Sequence, residues 1–336
     1  MINAAIVGLG RWGRNLVNSV RGSGAIRFTR AQTRTEANAA AFCHERNLRW
    51  TGDLEPILGD PEIQAVVFAT PHSQHAQQVQ RAAMAGKHVF VEKPFALSVA
   101  DAEAMISAAE RAGIVLAVGF NRRFHPSMAR LRTAIQARDL GTIIAVNAEQ
   151  TALHGLELTP DAWRAQPEES PGGAMTAIGV HLVDGMIDLF GRVREVRAVV
   201  TRRAAPVGDD TTTLLLSFEN GVTGQVFCSV AATPNYRFAV YGTKAFAEIL
   251  GHPMATYRLI PSSAAETRTP DAPVVTETVG FNMLAAELEA FAASIASGTP
   301  FPTPLADIRH GVEVLEAVLR SAGSGEAQRV QGHRGT

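Results

Sequence analysis

The sequence predicts an α/β protein: an N-terminal doubly wound parallel sheet with helices on both faces, then a C-terminal α+β domain carrying an open, mostly antiparallel sheet. Three observations predict it. Between Ile2 and Gly119, short apolar runs such as Ala65-Val66-Val67-Phe68 alternate with segments of helical period, as expected of strands covered on both faces by crossover helices. Beyond Asn121 the rhythm changes to a succession of strand-like stretches around one apolar helix. The chain is 336 residues long, more than the ~250–300 residues at which single cores stop growing. The expected division is residues 1–122, residues 123–322 and a flexible polar, glycine-containing tail over 323–336.

Composition narrows the class of function. With 46% hydrophobic and 19% charged residues and a net charge of -1, the chain offers no basic surface to attract nucleic acid or an anionic membrane. No run reaches the ~18–20 apolar residues of a membrane-spanning helix. Ile2–Val7 already reads as the first strand rather than as a targeting segment. Two isolated cysteines, Cys43 and Cys228, give neither a disulfide framework nor a zinc site and fit a reducing, cytoplasmic compartment. The partners expected are a small-molecule substrate and further copies of the chain.

The first strand, Ile2–Val7, runs into Gly8-Leu9-Gly10-Arg11-Trp12-Gly13. In a dinucleotide-binding unit the first glycine of such a turn allows the sharp bend, the second admits a pyrophosphate, and the third lets the helix pack on the strand. The second strand ends at Thr33-Arg34, where an acidic residue would hold the ribose hydroxyls of NAD. A hydroxyl followed by a guanidinium instead suits a 2′-phosphate, which favours NADP over NAD. Arg34 also reads as a solvated surface charge.

The third apolar strand ends at Thr70-Pro71-His72, with His75 one turn into the next helix. Gly86 closes that helix, Lys87–Val91 forms a strand ending at Glu92-Lys93-Pro94, Ser98 caps the following helix, and Ile114–Gly119 is the last parallel strand. A helix over 126–138 then leads to a strand over 142–151 and a long polar segment through Gly172-Gly173. The helix over 174–190 is followed by strands over 193–203, 211–218, 222–230, 236–241 and 245–250, with Asn220-Gly221 marking a hairpin. Helices over 281–297 and 305–321 close the chain.

Ligands of an open parallel sheet bind beyond the carboxyl ends of its strands, and Lys93 stands at such an end. There a lysine suits proton transfer or polarisation of a substrate oxygen; the alternative is a surface lysine before a strand-ending proline. On the helix over 174–190, helical spacing aligns Ala177, His181, Asp184 and Asp188. His181 reads as an acid or base oriented by Asp184, or equally as a core histidine bonded to a carboxylate. His72 and His75 share a helical spacing but lack a third ligand nearby, so no metal site is expected.

Taken in order, Gly8–Gly13, Ala69-Thr70-Pro71-His72-Ser73-Gln74-His75, Ala85–Pro94 with its Gly-Lys-His-Val-Phe-Val-Glu-Lys-Pro run, Gly172–Asp184 and Tyr241-Gly242-Thr243-Lys244 resemble the glucose-fructose oxidoreductase/inositol dehydrogenase/MocA (Gfo/Idh/MocA) family. The resemblance implies a Rossmann domain that binds NADP or NAD. The cofactor contacts implied are Gly8, Gly10, Arg11, Trp12, Gly13, Thr33, Arg34, Thr70, Pro71, His72, His75, Glu92, Lys93 and Pro94. It implies Lys93 as the catalytic lysine before a cis Pro94, His181 as the catalytic histidine, and an open second-domain sheet used for dimer or tetramer assembly. It also points to Asn121, Arg122, Arg123, Trp163 and Asp184 as substrate contacts. The implied reaction is hydride transfer between the nicotinamide and an alcohol or carbonyl of a sugar-like, polyol or related substrate.

One departure stands out. Sugar- and inositol-oxidising members place an aspartate four residues before the histidine, and here that position is Ala177. Loss of that acceptor points away from a standard cyclic polyol, towards a less hydroxylated or acidic substrate met by Arg122, Arg123, His125, His154, Trp163 or Arg164. A nucleotide-binding sensor without turnover, and a redox-assisted lyase or glycosidase, are the alternatives it leaves open.

Overall fold

The structure, a computed structural model, describes residues 1–262 and 270–331. Its first part alternates strand and helix: β1 (Ile2–Val7), α1 (Arg11–Ser19), β2 (Ile26–Gln32), α2 (Ala40–Arg46), β3 (Arg49–Thr51), α3 (Glu55–Leu58), β4 (Ala65–Phe68), α4 (His75–Met84), β5 (His88–Val91), α5 (Val99–Ala112) and β6 (Leu116–Val118). All strand pairs are parallel, in the order β3-β2-β1-β4-β5-β6. The chain winds outward from β1 in one direction and from β4 in the other, so the switch point of a doubly wound sheet lies between β1 and β4. Every residue of β4 is buried, as a strand covered on both faces requires. α5 begins and ends as its sequence dictates: Ser98 accepts the Asp101 amide at 3.1 Å, and Gly113 stops the helix in the left-handed region.

The second part comprises α6 (Pro126–Gln136), β7 (Ile143–Thr151), α7 (Val180–Phe190), β8 (Val193–Thr201), β9 (Thr211–Phe218), β10 (Thr223–Ser229), β11 (Asn235–Gly242), β12 (Ala245–Leu250), β13 (Thr256–Pro261) and β14 (Val274–Glu277). With β15 (Gln328–Arg329) they build a nine-stranded sheet in the order β14-β13-β12-β11-β7-β10-β9-β8-β15, antiparallel throughout except for the parallel pair of β7 and β10. Strands β9 and β10 alternate buried and open positions. α7 packs on the buried face; Leu215 and Phe227 stand exposed on the other.

Two closing helices follow, α8 (Met283–Ser297) and α9 (Leu305–Ser324). The chain forms two compact units that depart from the expected contiguous second domain: residues 282–309 cluster with residues 1–121, and the residues from 310 onward cluster with 122–281. α8 packs on α1 and β2, with the Phe291 ring 5.8 Å from that of Phe90 and Asn282 Nδ2 donating to the Ser19 carbonyl at 3.1 Å. An amphipathic helix shows in its own sequence that it covers something, not which sheet it covers. The tail is also corrected: α9 continues to Ser324 and β15 pairs with β8. Residues 332–336 of that expected tail lie outside the described residues.

Candidate functional site

In the first unit, the ends of β1, β2, β4 and β5 bring the expected cofactor residues to one edge of the parallel sheet. Gly8 sits at φ +96°, and a Cβ there would lie 2.5 Å from the Ala69 carbonyl oxygen. A Cβ on Gly13 would collide with the carbonyl of Gly8, so this helix can approach β1 only through a glycine. Over Gly10 the space is open, with nothing within 4 Å of a Cβ. Gly10 is the extended N-cap of α1, no side chain caps the helix, and its first turn carries no acidic residue. Bare amides at the positive end of a helix, facing open space, fit a pyrophosphate. Arg11 is exposed beside them, and Trp12 Nε1 is buried with no hydrogen-bond partner among the described residues.

Thr33 and Arg34 follow β2 directly. Trp50 Nε1 donates to the Thr33 carbonyl at 3.1 Å, and Arg34 is exposed. After β4, Thr70 Oγ1 donates to Gln78 Oε1 at 2.6 Å, and Pro71 leads into a single turn with His72 buried. His75 is fully buried, not an open cofactor contact. Its Nδ1 lies 3.1 and 3.3 Å from the carbonyls of Pro94 and Phe95 and its Nε2 3.3 Å from that of Thr70, so the ring braces the ends of β4 and β5 against each other. At the end of β5, the Lys93 amide donates to Glu92 Oε2 at 3.2 Å, the Lys93–Pro94 bond is cis, and Lys93 is half-buried.

In the second unit, Arg122 and Arg123 lie in the short helical turn that Asn121, buried at the end of the first unit, begins. Arg122 stacks its guanidinium over the Tyr236 ring, 5.2 Å from the centroid, and hydrogen-bonds the same side chain. Burial lowers the Arg122 pKa, the charges of Tyr236 and Asp184 oppose that shift, and Nη1 is buried with no partner among the described residues. Gln150, in register with Tyr236 across β7 and β11, likewise buries an Oε1 without a partner. Arg123 faces inward instead: its Nε and Nη2 donate to Asp184 at 2.7 to 3.1 Å and its Nη1 to Asp188 at 3.1 Å. Both expected substrate contacts, Arg123 and Asp184, thus brace α7 through a buried ion pair. His125 is no pocket residue either: fully buried, it caps α6 by accepting the Ser127 amide at 3.1 Å. Trp163 is half-buried beneath the Arg164 guanidinium, 4.1 Å from the ring centroid, and His154 is half-buried in its own turn.

His181 opens α7 directly after a five-residue π-helix over Met175–Gly179, which contains Ala177. A π-turn is uncommon and recurs at functional sites because it re-aims the residues that follow. His181 is 8% exposed, so its ring is held by the fold. No group of His, Cys, Asp and Glu among the described residues is arranged to hold a metal.

Residues 2–120 match the sequence pattern of the oxidoreductase family with an NAD-binding Rossmann fold, and residues 128–248 match the GFO/IDH/MocA C-terminal domain. The chain belongs to the Gfo/Idh/MocA oxidoreductase family. A D-xylose 1-dehydrogenase (NADP(+)) of Haloferax volcanii is 30% identical over 88% of this chain and 89% of its own length. A D-apiose dehydrogenase of Paraburkholderia graminis is 32% identical over 68% of this chain, and the match spans 60% of that relative. The fold matches a levoglucosan dehydrogenase solved with NADH and levoglucosan, at a TM-score of 0.89 and 23% identity over 98% of this chain and all 100% of that one. As a Gfo/Idh/MocA oxidoreductase, the chain carries its NAD-binding Rossmann domain in the unit that holds the glycine turn and Lys93.

Sequence reasoning missed Tyr236, Gln150 and Glu287. Glu287 left a trace: a carboxylate on the helical stripe of Leu284, Leu288 and Phe291.

Proposed function

We propose that this Gfo/Idh/MocA protein oxidises a CH–OH group of a sugar-like, polyol or related small substrate, or reduces the matching carbonyl, with NADP preferred over NAD. The observation that carries the reading is the Glu92-Lys93-Pro94 turn at the sheet edge where α1 presents its uncapped amides. Bound there, the nicotinamide would supply the hydride acceptor. Lys93 and His181 are assigned the hydroxyl proton: a half-buried ammonium polarises the substrate oxygen, and an imidazole held at the start of α7 takes or returns the proton. Gly8, Gly10 and Gly13 shape the pyrophosphate site. Arg11, Trp12, Thr70, Pro71 and His72 flank it, and Thr33 and Arg34 receive the 2′-phosphate. Arg122 with Tyr236 is assigned a polar group of the substrate, and Asn121 and Trp163 are assigned further substrate contacts.

Support for a sugar-like substrate comes from the relatives, which are named for D-xylose, D-apiose and levoglucosan, and Ala177 argues for a less hydroxylated member of that class. The protein is taken to assemble as a homodimer or homotetramer through the sheet face that carries Leu215 and Phe227, and to work in the cytoplasm, in keeping with two buried free thiols.

The test is a fluorescence titration of cofactor-stripped protein with NADPH and NADH side by side, followed by a screen of aldoses, polyols and vicinal diols. Tighter binding of NADPH, weakened by Arg34→Ser, is the expected result, and preference for NADH overturns the cofactor assignment. Lys93→Ala is expected to abolish turnover while NADPH affinity stays close to that of the parent protein; retained turnover overturns the mechanism.

A further inference from the structure

The first unit buries a second carboxyl group behind the Glu92-Lys93-Pro94 turn. Glu287, on α8, is fully buried, and neither of its carboxyl oxygens has a hydrogen-bond partner among the described residues. Its position follows from the packing of α8 on β5. The ring of Phe291 meets that of Phe90. Glu287 lies one helical turn before Phe291 on the same stripe, and Glu92 lies two residues after Phe90 on the same side of the chain. The same row directs Glu287 towards Glu92, whose charge acts on it. Glu92 is 6% exposed, and Gly119 leaves only enough room for its carboxylate, with Oε1 3.0 Å from where a Cβ would stand.

The other charged groups around α8 are committed elsewhere. On α1, Arg11 is exposed and Arg14 donates to the carbonyls of Leu9 and Asn38. On β2, Arg27 donates to Asn3 and Arg30 pairs with Asp60. Lys87, entering β5, donates to the carbonyls of Asp60 and Ile63, and His88 accepts the Val115 amide. Among the described residues the charge that acts on Glu287 is that of Glu92, and it is of the same sign. Two carboxylates facing each other in a dry interior do not both ionise, and the one without a donor takes the proton. Burial and the charge of Glu92 both raise the Glu287 pKa well above 4.5.

We propose that Glu287 is a positioning residue that stays protonated in the folded enzyme and offers its O–H to the Glu92 carboxylate, so that Lys93 meets one negative charge held in a fixed orientation. The proposal rests on the reading of Lys93 as the proton-handling lysine. A neutral acid is both filler and donor in this place. Glutamine, its closest mimic, donates in the same direction, whereas leucine fills the space and donates nothing.

The test uses full-length enzyme and two readouts that need no substrate. Infrared spectroscopy at neutral pH should show a protonated-carboxyl band that Glu287→Gln removes. Pulsed acetylation of amines, read peptide by peptide across a pH series, follows the titration of Lys93 itself. Glu287→Gln should leave the Lys93 midpoint in place, and Glu287→Leu should lower it, because Glu92 loses its donor and its charge. Absence of the band, a fall of the midpoint in Glu287→Gln, or an unchanged midpoint in Glu287→Leu each overturns the proposal. Failure of the underlying reading shows separately, as turnover retained in Lys93→Ala while the band persists.

Discussion

The guanidinium of Arg122 lies over the ring of Tyr236, 5.2 Å from its centroid, and the His252 ring meets the same tyrosine edge-on at 6.3 Å. An arginine held this way keeps its planar fork oriented by the ring, with no carboxylate ion-paired to it among the described residues, and can meet an anion or a row of hydroxyls. Removing a charged donor from such a contact costs about 1.5–3 kcal/mol, or roughly tenfold or more in affinity. Arg122→Gln should therefore raise KM by about that factor for the best substrate of the panel, with NADPH affinity unchanged. Arg122→Lys should recover little, since an ammonium lacks the fork. Steady-state kinetics in NADPH-saturated assays decide it, and an unchanged KM in Arg122→Gln removes this residue from the substrate site.

Arg123 and Asp184 make the opposite use of the same segment. Both are nearly fully buried, and three N–H···O bonds join them across 61 positions of sequence. Breaking a buried pair by removing one partner leaves an uncompensated charge and costs about 3–5 kcal/mol. Arg123→Leu and Asp184→Leu should each lower stability by that order, and the double variant by less than their sum. Urea denaturation of the four proteins measures the coupling. Strict additivity would mean that the pair does not brace α7.

The difference between these adjacent arginines could not be read from the sequence. Arg122-Arg123 shows two cations beside a possible cleft; only the fold brings Asp184 to one and Tyr236 to the other. The glycine turn was legible because Gly8 and Gly13 answer local steric demands on either side of the open Gly10, and the inner strands of the parallel sheet because β1, β4 and β5 are short apolar runs. β3 and α3, of three and four residues, are too short to display a period. The π-helix over Met175–Gly179 carries the same apolar pattern as an α-helix, so the sequence predicts one continuous helix over 174–190. His125 did carry a readable sign, the proline after it, which marks the first turn of a helix and makes the histidine its cap.

Glu287 also makes a statement about stability. Its folded-state pKa is raised above the ordinary 4.5. Its contribution is therefore full at pH values below 4.5 and is lost as pH rises through the folded-state value, because the unfolded chain releases the proton first. The melting temperature of the parent protein should decline over that range, and Glu287→Gln, which has no proton to release, should decline less and be the more stable protein at neutral pH. Thermal melts from pH 4 to 9 compare the two. Parallel profiles would show that Glu287 does not hold a raised pKa.

Tyr236 gives a second titration with the same sign and a different window. Burial pushes its phenol from 10.0 up to about 12, against the opposing pull of the Arg122 charge. Its contribution to stability is complete below pH 10 and is lost as pH rises through about 12. The chain has three tyrosines, so the amplitude of each is resolvable in an ultraviolet tyrosinate titration. Tyr236→Phe should remove the component at about 12. Arg122→Gln should move that component higher still, because the cation that favours the phenolate is gone while the burial remains. A Tyr236 that titrates near 10, or a midpoint that falls in Arg122→Gln, would show that the ring is open to water and that the stacked guanidinium does not act on it.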